Sequence, residues 1–81
     1  MDRSELYAAL EGLLECDPGT IQGGESLDDL PGWDSMAVVG FIAMVDEKFG
    51  VIVPADRLVQ CKTTADLADL TAYAVSNKPK D

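Results

Sequence analysis

Apolar residues recur at helical spacing in three stretches of the chain, and between them the periodicity stops. Leu6, Leu10, Leu13 and Leu14 fall at i, i+4, i+7 and i+8, one stripe of an amphipathic helix from Arg3 to about Glu15. Asp2 with Glu5 three residues later predicts a capping box at its start, and Glu5, Glu11 and Glu15 make its polar face. The second stripe is Val38, Phe41, Ile42, Val45 and Phe49, on a helix from Asp34-Ser35 to about Phe49. Asp34 suits its N-cap and Gly50 the left-handed residue that ends it. The third is Leu67, Leu70 and Ala74, opened by the capping pair Thr63 and Asp66 and running to about Val75.

The intervening segments read differently. Residues 16–34 contain Pro18, Gly19, Gly23, Gly24, Pro31 and Gly32 among Asp and Ser, which predicts a long loop. Loops of this length tend to be functional or disordered rather than simple connectors. Ile21, Leu27 and Leu30 are spaced apolar residues expected to pin it onto the helices. Val51-Ile52-Val53 is too short, and too lacking in a partner, to be a strand. Pro54 fits the first turn of a short helix over roughly Ala55–Val59. Residues 77–81 read as a frayed tail. The sum is an all-α fold: a small antiparallel four-helix bundle, three helices long and one short, forming a single domain over residues 1–81.

Composition narrows the function. The chain has 81 residues, 47% of them hydrophobic, too apolar for a disordered acidic tail. Its net charge of −9 argues against nucleic-acid backbones as partners. Without any histidine there is no Ser-His or Cys-His pair and no imidazole metal ligand. No metal site and no catalytic residue is therefore predicted. Cys16 and Cys61 are too few for a disulfide framework and are expected as reduced, half-buried thiols. The segment MDRSELYAAL has no basic region leading into an apolar run, and no stretch approaches the ~20 apolar residues of a membrane span. A cytoplasmic monomer is expected.

Ser35 is the candidate site. It follows a Gly-containing loop, adjoins an N-cap Asp and lies in the first turn of a helix. Free N–H groups and the positive end of the helix dipole favour an anion there, so a phosphate ester on its oxygen would be well placed. An ordinary capping serine has the same local sequence. Hydrolase chemistry at Ser35 would need a base, and none is at hand.

Leu30-Pro31-Gly32-Trp33-Asp34-Ser35-Met36 resembles the attachment motif of the acyl carrier protein family, whose core is Asp-Ser-Leu or Asp-Ser-Met. Asp46 to Pro54 resembles the family's acidic-acidic-x-Phe-Gly-x-x-Ile/Val-Pro segment, and Thr63-Thr64-Ala65-Asp66-Leu67 the start of its last helix. The resemblance covers nearly the whole chain. It implies a non-catalytic carrier in which Ser35, flanked by Asp34 and Met36, takes 4′-phosphopantetheine from coenzyme A through a phosphopantetheinyl transferase. It further implies an acyl or aminoacyl group held as a thioester, loaded by a ligase or acyltransferase and processed by enzymes such as a ketosynthase. The competing reading is an acidic helical interaction module that carries no arm.

The chain departs from fatty-acid carriers in two places. Their acidic residues after the serine are here Ala37 and Gly40, leaving only Asp46 and Glu47 further on. The face beside Ser35 holds Met36, Val39, Gly40 and Ala43. It is either buried in the bundle or docks partners by shape and apolar contact; the second is favoured because the Val38-to-Phe49 stripe already supplies a core face. Trp33 is the other departure. It either plugs the loop onto the bundle or marks a free-standing carrier of a specialised pathway. Residues 1–34 hold a charge of −8 and residues 35–81 only −1, so charge steering would fall to the first helix and the loop.

Overall fold

The computed structural model describes residues 2–77. Four α-helices follow in order: α1 (Arg3–Leu14), α2 (Ser35–Phe49), α3 (Ala55–Leu58) and α4 (Thr64–Ser76). No strand is present among the described residues, where an isolated bridge joins Ser26 to Thr63. Helix α1 packs on α2 and α4, and the short α3 packs on the same two. The result is the small helical bundle expected, with Leu6, Leu10, Phe41, Val45, Leu58 and Leu67 sealed in its centre.

The helix ends follow local chemistry. Asp2 caps α1 by accepting from the Ser4 N–H at 3.0 Å and the Ser4 hydroxyl at 2.8 Å. That replaces the expected Asp2–Glu5 box. The helix closes at Leu14 because Glu15 turns left-handed, at φ +58°. The Thr63–Asp66 box forms as read: the Asp66 N–H donates to Thr63 Oγ1 and the Thr63 N–H returns to Asp66 Oδ2, both at 3.2 Å. At the far end of α4 the Asn77 N–H donates to the Tyr73 carbonyl at 3.1 Å. The rest of the expected frayed tail, residues 78–81, lies outside the described residues.

Val51 and Val53 are buried while Ile52 points outward at 73% exposure. The alternation is that of an extended chain, without a partner strand, running under the core to Pro54.

Two corrections concern burial. Glu11 does not share a solvated face with Glu5 and Glu15. It is buried, and its Oε2 accepts the Ile21 N–H at 2.8 Å. Ala37, expected off the core stripe of α2, is buried, while Val38, Ile42 and Phe49 are only half-buried around the core. The burying face of α2 is thus Ala37, Phe41 and Val45, at i, i+4 and i+8.

The long loop is tightly held. Ile21, Leu27 and Leu30 are buried, as the spacing predicts, and Leu27–Asp29 form a short 3-10 turn. Backbone bonds stitch the loop to the start of α4: Leu27 N–H to Lys62 O at 2.8 Å, Thr64 N–H to Glu25 O and Ala65 N–H to Gly23 O, both at 3.0 Å. Glu25 completes the seam. It accepts from the N–H groups of Gln22 and Gly23, each at 2.9 Å, and from the Thr64 hydroxyl at 2.8 Å. Such a seam lets a loop this long, rich in glycine, present its last residues in one place.

Candidate functional site

The loop delivers the chain to α2 through a turn. Gly32 sits at φ +85°, a conformation that costs a residue with a Cβ, and the Trp33 N–H donates to the Leu30 carbonyl at 3.3 Å. This turns the Trp33 ring inward, edge-on to Phe41, with centroids 5.9 Å apart and planes at 78°. Asp34 follows in extended backbone and caps α2, its Oδ1 accepting the Ala37 N–H at 2.9 Å. The first intrahelical bond runs from the Val38 N–H to the Asp34 carbonyl at 3.0 Å.

Ser35 is the first residue of α2, and its side chain is exposed. The N–H groups of Ser35 and Met36 precede that first bond, so the helix offers them, with its dipole, to whatever sits on the hydroxyl. The Asp34 carboxylate is engaged with Ala37 rather than turned to the serine. No charged side chain occurs between Asp34 and Asp46. The hydroxyl is therefore accessible and beside a helix N-terminus, but nothing next to it on α2 can take its proton. An oxygen so placed, open and at the positive end of a helix, has room for an anionic ester.

The family model for the phosphopantetheine attachment site matches residues 4–71, most of the chain. The chain belongs to that family. Its members bind 4′-phosphopantetheine covalently, so this protein is a phosphopantetheine carrier, and carrier domains of the family are in general not catalysts. A carrier of this kind interacts with the enzymes that modify it, a phosphopantetheinyl transferase among them. No curated protein is matched. No helix among the described residues is long and apolar enough to cross a membrane.

Around the serine, the residues read from the sequence separate into two groups. Met36 and Val39 are 81% and 68% exposed, and Ala43, Asp46 and Glu47 are exposed with them on one face of α2. Gly40 does not join that face. It is half-buried, and a Cβ built on it would stand 3.0 Å from Leu13 Cδ1. Its missing side chain serves the close approach of α1 instead.

Cys16 and Cys61 are free and half-buried. Burial, with Asp66 and Asp69 nearby, pushes the Cys61 thiol up, away from the reactive thiolate. No cluster of metal-ligating side chains occurs among the described residues.

Sequence reasoning missed Glu11 and Glu25, the two carboxylates that fix the loop carrying the site. For Glu11 a signal existed: Tyr7, Glu11 and Leu14 fall at i, i+4 and i+7 and share a side of α1 with half-buried neighbours.

Proposed function

We propose that Ser35 is the attachment residue, and that the single domain over residues 1–81 carries an acyl or aminoacyl group for a dedicated biosynthetic pathway. The carrying observation is the position of its hydroxyl: exposed, first in α2, beside a capping Asp34 and followed by no charged residue before Asp46. When bound, the phosphopantetheine arm supplies a terminal thiol on which cargo is held as a thioester. The chain's own residues do the rest. Asp34 fixes the helix start, Met36 flanks the serine, and the open end of α2 favours the phosphodiester anion.

Partners are read by the exposed face of α2. Met36, Val39 and Ala43 offer apolar contact, and Asp46 and Glu47 close the face with two acids. A transferase, a loading ligase or acyltransferase, and a processing enzyme such as a ketosynthase would meet it in turn. On this reading the protein is a cytoplasmic monomer, in which each visiting enzyme can reach the same serine.

Incubating the protein with coenzyme A and a broad-specificity phosphopantetheinyl transferase tests this. Intact mass should rise by one arm, and Ser35→Ala should abolish the gain. An unmodified wild type under conditions that load a control carrier leaves the interaction-module reading in its place.

A further inference from the structure

Residues 31–36 form the run that carries Ser35, and of these only Trp33 is half-buried, the others being exposed. The chain is tied into the core on either side, by Leu30 before the run and Ala37 after it, 8% and 9% exposed. Within the run the Trp33 indole alone packs on the core cluster. Its partner Phe41 is wholly buried and belongs to the helix that Ser35 begins. The Asp34 cap orders the first turn, but its bond to Ala37 is local and does not fasten that turn to the bundle.

The geometry points to Trp33 as a positioning residue for arm transfer: its edge-on contact with Phe41 holds the first turn of α2 in place and presents the Ser35 hydroxyl in one position. This rests on Ser35 being the attachment residue. Without the ring, the first turn and the loop end exchange among several arrangements. The transferase then meets a smaller competent fraction, so the apparent KM rises as that fraction falls, while kcat, set after docking, stays put. An edge-on aromatic pair of this kind sets the scale of the rise at roughly two- to tenfold.

The test uses the full chain with coenzyme A and the broad-specificity transferase, following intact mass at several carrier concentrations. Circular dichroism at the assay temperature shows whether each variant is folded, and amide exchange reads Ala37 and Val38 against Val45. Trp33→Ala should raise KM with kcat unchanged and speed exchange at Ala37 and Val38 but not at Val45. Trp33→Phe, which keeps an aromatic edge on Phe41, should restore KM to near the wild-type value. If Trp33→Ala is not folded, Trp33→Val is read the same way. A folded Trp33→Ala or Trp33→Val with the wild-type KM overturns the proposal, as does a Trp33→Phe as impaired as Trp33→Ala. If the wild type gains no arm, or Ser35→Ala gains one, the attachment reading fails and takes this proposal with it. Loading that depends on Ser35 but is indifferent to Trp33 overturns this proposal alone.

Discussion

Replacing Glu25 by Gln should remove an acid-sensitive fastening between the long loop and the start of α4. Desolvation raises the Glu25 carboxyl, but the N–H groups of Gln22 and Gly23 and the Thr64 hydroxyl outweigh it and bring the pKa from 4.5 to about 2. Fully realised, such a drop is worth about 3 kcal/mol of folding stability. Water around the partly exposed carboxylate screens this to about 1–2 kcal/mol. The folded pKa lies below the unfolded one, so the stability is present in full above about pH 4.5 and is lost as the pH falls from there towards 2. A glutamine keeps the shape, but its NH2 group faces donors where an oxygen stood. Urea unfolding of wild type and Glu25→Gln between pH 7 and pH 3 measures the difference, in which the other carboxylates cancel. The variant should be about 1–2 kcal/mol weaker at pH 7, with a melting temperature roughly 5–15 °C lower, and the gap should narrow steadily below about pH 4.5. A gap as wide at pH 3 as at pH 7 would refute the reasoning, because it would assign the cost to packing rather than to the charged carboxylate.

Glu11→Ala should cost about 1.5–3 kcal/mol in the same unfolding measurement, because it leaves the buried Ile21 N–H without its acceptor, while Glu11→Gln, which keeps a carbonyl there, should cost less than half as much. Neutralising Asp28 and Asp29 should slow association with the transferase by roughly two- to fivefold at low salt, more than neutralising Asp46 and Glu47 does. Stopped-flow mixing measures the rates, and the difference should vanish at ~0.5 M salt, where surface charges are screened within a few ångströms.

Much of this fold was legible because it is local. The Thr63–Asp66 box, the Asp34 cap and the Gly50 terminator are rules about neighbours, and each acts where the sequence has it. So does the spacing of Ile21, Leu27 and Leu30, since three apolar residues in a polar loop have only the core to reach. What stayed hidden depends on contacts distant in sequence. Nothing near Glu25 announces Thr64, thirty-nine residues on, as its partner. Thr64 and Thr71 are wholly buried although polar, and the Thr71 hydroxyl satisfies itself on the Leu67 carbonyl at 2.9 Å, a bond available only once α4 exists. Gly40 likewise reads as part of an open face until α1 lays Leu13 across it. At the site, the packing of Trp33 onto the bundle was one of the two readings the sequence allowed and is the one the fold shows, whereas its edge-on partner was not legible, because the contact requires both the left-handed Gly32 and a buried Phe41 to meet.

The same distinction revises the meaning of the charge. Nine of the fifteen acids precede Ser35, and from the sequence they look like one field facing partners. In the fold, Asp2, Glu11, Glu25 and Asp34 each accept a backbone N–H and so hold a helix end or the loop. Glu5, Glu15, Asp17, Asp28 and Asp29 are exposed, and they are the part of that charge available to a partner at a distance. The bonded four share one logic, a carboxylate answering an N–H that no helix or sheet satisfies, and a chain with so long a loop has many such groups to answer. The acidity of the first half is thus in good part what lets a glycine-rich loop end, in one conformation, at an open serine. On the proposed reading, the apolar part of the α2 face beside that serine, Met36, Val39 and Ala43, then needs few acids near it, with the exposed acids of the first half steering the partner in and the apolar surface holding it once it arrives.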